Sequence, residues 1–225
     1  MPKLLAISDW DHCLFRTEEF WQAVTDLLER HYGNSHGIMA DQFRAERLDR
    51  SPGGPGRVAE GEGYDFFLHL SQHGIDPDEA EKAIMDELSV DQWLYPGTTE
   101  LIANLRRRGY TFVIETTGAV HFQALKIACA ANLPTDIPTR AMPGNKGQVL
   151  RQEWNQAGRI IHRDIAYTHV LLIDDSAGTF EALGEHPGLT AIQITGREKN
   201  PEPSPLNWVH KVKDLSEIPA LLRQP

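Results

Sequence analysis

Lys3-Leu4-Leu5-Ala6-Ile7-Ser8-Asp9-Trp10-Asp11 carries most of what this chain discloses about its fold. Its apolar part is unbroken where a strand facing solvent would alternate, which marks a short strand buried on both faces of a parallel sheet. The run then stops at two acids. A second run of the same form, His169-Val170-Leu171-Leu172-Ile173, stops at Asp174-Asp175-Ser176. Open parallel sheets place their sites just beyond the carboxyl ends of their strands, so both acid pairs are expected at one end of one sheet.

The flanking sequence supports that sheet. From Thr17 the pattern turns helical: Phe20, Val24, Leu27 and Leu28 recur at helical spacing, and Glu18 and Glu19 occupy the first turn, where the helix dipole favours acids. Arg50-Ser51-Pro52-Gly53-Gly54-Pro55-Gly56-Arg57 reads as a loop. It lacks the Gly-Lys-Ser/Thr ending of a phosphate-binding P-loop and follows no strand. Helices are expected over 64–71 and 76–88, the second opening on the cap Asp76-Pro77-Asp78-Glu79. After Pro96-Gly97, helix and strand alternate: helix 98–108 stopped by Gly109, strand 111–114, helix 120–131, strand 169–173, a helix from 177, strand 189–194, and a closing helix 214–222. Repeated strand–helix–strand units predict an α/β fold, a doubly wound parallel sheet with a small all-helical insert after the first strand. The core would comprise 1–15 and 96–225, and the insert 16–95.

Composition bounds the function. A chain of 225 residues, 40% hydrophobic and 24% charged, can form one domain with an insert and needs no disulfide or structural metal to fold. Cys13 and Cys129 are its only cysteines, far apart and without metal-ligand spacing, which suggests a reducing, cytoplasmic compartment. The apolar run at the N-terminus is too short for a signal peptide, and no stretch approaches the roughly 18 apolar residues that would cross a bilayer. A formal net charge of -10 argues against nucleic acid and anionic membranes as partners.

The predicted strand ends gather reactive groups: Asp9-Trp10-Asp11, Glu115-Thr116-Thr117-Gly118 and Asp174-Asp175-Ser176, with Lys146 of Asn145-Lys146-Gly147 at the head of a predicted helix. Each alone is an ordinary turn or capping pattern. Together they hold the parts of phosphoryl transfer through a carboxylate. One acid can attack phosphorus and form an acyl phosphate. A second, two residues on, can pass a proton to the leaving alcohol and take one from water. A hydroxyl and an ammonium can bind the non-bridging oxygens. The remaining carboxylates suit magnesium, a hard cation.

This set resembles the four motifs of the haloacid dehalogenase superfamily, in its phosphatase branches. Leu4–Phe15 is similar to the first motif, Tyr95–Gly109 to the helix leading into the second at Thr116, Lys146 to the lysine of the third, and Leu172–Phe180 to the fourth. The resemblance spans nearly the whole chain. It implies Asp9 as nucleophile and metal ligand, and Asp11 as general acid/base with its backbone carbonyl on the metal. Thr116 or Thr117, with Lys146, would bind phosphate. Asp174 and Asp175 would complete a Mg2+ site, Asp175 being the nearer match for a direct ligand. The substrate implied is a small phosphorylated metabolite.

The departures from the family pattern are His12 and Cys13 after the second acid, a charged Glu115 at the strand end, Thr179 where many members carry an acid, and Lys126 as a rival to Lys146. His69 and His73 stand four apart on a predicted helix, as zinc ligands do, with no third ligand evident in sequence. Arg44, Arg47, Arg50 and Arg57 read as a solvated face from which one side chain could reach substrate. A phosphomutase would keep every motif. A hydrolytic dehalogenase would not need Asp11. A phospho-accepting receiver domain would place its lysine last, and a non-catalytic binding protein would be expected to lose a motif.

Overall fold

The computed structural model describes residues 3–49, 51, 54–57, 64–142, 144–154, 160–197 and 202–222. In chain order its first elements are β1 (Leu4–Ser8), α1 (Thr17–His36), α2 (Ala40–Leu48), α3 (Phe66–Gln72), α4 (Pro77–Leu88), α5 (Thr98–Arg107), β2 (Tyr110–Thr117) and α6 (Val120–Cys129). There follow β3 (Thr139–Met142), α7 (Lys146–Trp154), β4 (Ile160–His162), β5 (Ile165–Tyr167), β6 (His169–Asp174), α8 (Ala177–Leu183), β7 (Leu189–Ile194), β8 (Val209–Val212) and α9 (Ile218–Leu221).

The described strands form a six-stranded sheet in the order β3-β2-β1-β6-β7-β8, parallel throughout. The antiparallel hairpin β4-β5 stands apart from it. The chain builds outward from β1 through β2 to β3, then returns to the other side of β1 to lay down β6, β7 and β8. The crevice where the order reverses is where such sheets bind ligands, and here it lies between β1 and β6. Ser8 is level with Ile114 on one side and Ile173 on the other. The backbone N–H of Asp9 still donates to the Ile173 carbonyl at 2.8 Å. Asp9 and Asp174 therefore leave adjacent strands at one level.

The unbroken apolar character of β1 is explained by its two faces. Ala6 packs into one apolar cluster with Phe20, Trp21, Phe43, Phe66 and Phe122. Leu5 and Ile7 pack into another with Leu150, Trp154, Leu172 and Phe180. The first cluster runs without interruption from the sheet into α1–α4. Its hinge is Phe122 of α6, whose ring centroid lies 4.5 Å from Trp21 and 4.7 Å from Phe66. Residues 16–95 contribute α1–α4 and, among the described residues, no strand of the sheet. No described helix is long and apolar enough to cross a membrane.

Several elements differ from expectation. β2 continues to Thr117, so Glu115, Thr116 and Thr117 belong to the strand rather than to the loop beyond it. The closing segment is a 3-10 turn, Leu215–Glu217, with a capping box on Asp214, followed by the short α9. Unforeseen are α2, where only Ala40 and Phe43 are buried, the edge strands β3 and β8, and the hairpin. Each is too short, or too polar on one side, to display a period. Of the expected glycine-rich loop, Arg50, Pro52 and Gly53 lie outside the described residues.

Candidate active site

Lys146 is the first residue of α7, and its ammonium lies 2.6 Å from Asp9 Oδ1 and 2.6 Å from Asp174 Oδ2. The sequence allows this through Gly147. A Cβ there would stand 2.1 Å from the Thr179 carbonyl oxygen, so only glycine lets α7 lie this close to α8. All three charged groups are buried. The backbone N–H of Ser176 donates to Asp174 Oδ1 at 2.8 Å and fixes the second side of that carboxylate.

Asp9, Asp174 and Asp175 offer carboxylate oxygens that all lie within 4.8 Å of one another. Burial drives the Asp9 carboxyl well above the usual carboxylate range; Lys146 opposes this, while Asp174 and Asp175 reinforce it. One ammonium among three carboxylates leaves negative charge in excess. An all-oxygen donor set with that surplus fits a hard divalent cation such as Mg2+. These residues line a cleft of about 250 Å³ together with Asp11, Thr117 and Asn145.

Asp11 lies in different company. Its carboxylate accepts hydrogen bonds from Thr17 Oγ1 at 2.7 Å and Gln123 Nε2 at 2.9 Å, and it pairs with the buried ammonium of Lys126. Burial alone would raise its pKa, but Lys126, Thr17 and Gln123 outweigh burial and hold the carboxyl at about 2. Burial pulls Lys126 below the ordinary lysine range, against the pull of Asp11. Asp11 also borders a second cleft of about 320 Å³, walled by Trp21, Arg47, Arg57, Tyr64 and Lys126. Arg47 pairs with Glu18 at 3.2 Å and lies over the Trp21 ring at 4.6 Å. Arg57 donates to the Asp49 and Arg47 carbonyls at 2.6 and 2.7 Å.

Of the residues expected from sequence, the first cleft brings together Asp9, Asp11, Thr117, Lys146, Asp174 and Asp175. Thr116 is buried and lines neither cleft, so of the two threonines it is Thr117 that can touch a ligand there. The two lysines have different partners: Lys146 pairs with Asp9 and Asp174, and Lys126 pairs with Asp11. His12 adopts φ 57°, the left-handed conformation that favours glycine, and so occupies a tight turn after β1. Cys13 is fully buried, and burial pushes its thiol well above the ordinary range, as suits a small packing residue. Glu115 lies outside both clefts, its carboxylate 3.0 Å from Arg140 Nε and 3.1 Å from His162 Nε2. Arg44 is taken up by Asp41 and Gln22 at the surface.

Gln123 and Lys126 were not anticipated as partners of Asp11. A signal exists: they stand three apart on the helix that follows β2, hence on one face of it.

No protein-family profile matches the chain, and no curated protein matches it. Solved structures do. A haloacid dehalogenase-like hydrolase from Burkholderia xenovorans LB400 superposes with a TM-score of 0.67 at 16% identity, over 99% of this chain and 100% of that one. The HAD-hydrolase YfnB from Bacillus subtilis, bound to magnesium, gives 0.58 at 15% identity over 99% and 100%. A HAD phosphatase from Thermococcus onnurineus gives 0.56 at 18% identity over 98% of each chain. With the parallel sheet, its switch point and the helices after β1 in place, the chain has the fold of the haloacid dehalogenase-like hydrolases.

Proposed function

We propose that this chain is a member of the haloacid dehalogenase superfamily, a magnesium-dependent phosphohydrolase acting on a small phosphorylated metabolite through an aspartyl-phosphate on Asp9. The observation that carries this reading is the convergence of Asp9, Asp174 and Asp175 around Lys146 in one cleft at the switch point of the sheet. Residues 16–95 would then act as the cap over that cleft. Unpaired, buried Cys13 and Cys129 suit a reducing, cytoplasmic setting.

Asp9, Asp174 and Asp175, with the Asp11 backbone carbonyl, would hold Mg2+, which when bound lets an anionic nucleophile approach an anionic phosphate. Lys146 and Thr117 would bind the non-bridging oxygens. The Asp9 carboxylate attacks phosphorus, an Asp9 O–P bond forms, and the bond to the leaving oxygen breaks. Water then attacks the phosphorus of the acyl phosphate and gives a proton to Asp11, while the Asp9 O–P bond breaks, which frees the carboxylate and releases inorganic phosphate. Held ionised by Lys126, Asp11 is better prepared to accept that proton than to donate one at the first step. Substrates whose leaving oxygen departs readily as an anion should therefore turn over fastest.

Structures of dehalogenases share this fold, and a dehalogenase also attacks with a carboxylate. Displacing a halide needs neither a proton donor for the leaving group nor a divalent cation, and the acids gathered here therefore favour phosphoryl transfer. The test is phosphate release from an aryl phosphate, with Mg2+ and with EDTA, by wild type and Asp9→Asn. Turnover should require Mg2+ and fall by about four orders of magnitude or more in the variant, the scale of removing a nucleophile. Turnover that survives Asp9→Asn would overturn the proposal. Phosphate moved within a substrate without net release would identify a phosphomutase instead.

A further inference from the structure

In sequence, His69 and His73 lack a third partner; in the fold, α2 supplies one. Glu46 Oε2 lies 2.9 Å from His69 Nε2 and 2.7 Å from His73 Nε2. The candidate ligand atoms of the three all fall within 4.8 Å of one another. The other ring nitrogen of His69, Nδ1, is 2.7 Å from the Tyr64 hydroxyl, and the Phe43 ring stacks on His69 with centroids 4.0 Å apart. The imidazole is therefore fixed in orientation before anything binds, in the way outer partners of metal-ligating histidines fix theirs. His69 is fully buried, whereas the His73 and Glu46 side chains keep 22% and 21% of their exposure, which leaves an approach from solvent.

We propose that Glu46, His69 and His73 form a binding site for Zn2+, separate from the carboxylate cluster at the sheet ends. Two imidazoles and one carboxylate match the three-ligand sites of zinc, with a fourth position left to water, and not the oxygen cages of magnesium. Tetrahedral bonds to zinc would set the ligand atoms about 3.3 Å apart, a few tenths of an ångström beyond the 2.9 and 2.7 Å that separate Glu46 Oε2 from the two ring nitrogens. The charge of Arg57 bears on His69 and works against a cation; Glu46 offsets it. Bound there, zinc ties α2 to α3 directly behind Tyr64, a wall residue of the second cleft, and so braces the side of the cleft that Arg47 and Arg57 also form.

A hydrogen-bonded Glu–His–His triad that needs no metal is the competing account, and metal binding separates the two. The full-length protein is titrated with Co2+ under excess Mg2+, which keeps the carboxylate cluster filled, and visible absorption reports nitrogen-ligated cobalt. One Co2+ should bind, Zn2+ should displace it, and Asp175→Asn should leave this signal intact. His73→Gln, at the C-cap of α3, and Glu46→Gln should each weaken binding at least tenfold while circular dichroism stays unchanged. Zn2+ should raise the Tm of wild type and of neither variant. The absence of a nitrogen-ligated signal in wild type, or equal affinity in wild type and both variants, would overturn the proposal. Should His73→Gln fail to fold, Glu46→Gln alone decides it.

Discussion

At the carboxyl end of β1, Asp9 faces Asp174 across Lys146 with Asp175 beside them, whereas Asp11, two residues on, faces Lys126, Thr17 and Gln123. Burial raises the proton affinity of both carboxyls. Like charges then push Asp9 further up, and donors bring Asp11 down to about 2. Environments that drive two neighbouring acids apart assign them different work. On the proposed function, the crowded acid would need a cation to become a nucleophile, and the well-satisfied acid, ionised at neutral pH, would take the proton.

The largest consequence concerns Lys146. Lys146→Met leaves Asp9 and Asp174 buried without their cation, and breaking a buried pair on one side costs about 3–5 kcal/mol. Urea unfolding should show that loss in EDTA and a smaller one in Mg2+, since a cation can replace the missing positive charge. Equal stability of variant and wild type in EDTA would mean that the cluster is not organised around this lysine.

Lys126→Met tests the other acid. A carboxyl held below its ordinary value of 3.8, at about 2, contributes stability that is fully present above pH 4 or so and is lost as the pH falls through 2. Without Lys126 that contribution disappears, and the pKa of Asp11 rises under burial. The acidic limb of kcat/KM should move to higher pH by about one unit or more, and acid unfolding should begin at higher pH. A limb that stays in place would show that Asp11 does not set it.

The smallest effect separates the two threonines. Thr117→Val removes a hydroxyl that can bond a phosphate oxygen and should weaken kcat/KM by roughly tenfold, the scale of a hydrogen bond to a charged group. Thr116→Val should change it by less than about twofold, because Thr116 lines neither cleft. The reverse order would move the phosphate site to the other face of β2.

The sequence disclosed the acids because each stands where an unbroken apolar run stops: Asp9 just after β1, Asp174 as the last residue of β6 and Asp175 just after it. A parallel sheet with a switch point then brings those ends together whatever the rest of the chain does. It did not disclose which lysine serves which acid. That depends on where α6 and α7 lie against the sheet, and the close approach at Gly147 that positions Lys146 is a tertiary fact. Glu46 was invisible as a partner of His69 for the same reason, since α2 shows almost no apolar period and 23 residues separate the two side chains. Glu115 looked misplaced at a strand end until Arg140 of β3, itself unforeseen, supplied its counter-ion.

The central claim is a covalent bond between Asp9 and phosphorus, and it can be observed directly. The protein is mixed with an aryl phosphate in Mg2+, quenched in acid within a single turnover, digested and analysed by mass spectrometry. The peptide carrying Asp9 should gain one phosphoryl group, which hydroxylamine removes, and Asp9→Asn should gain none. A phosphoryl group on any other residue, or turnover during which the Asp9 peptide stays unmodified, would contradict the account.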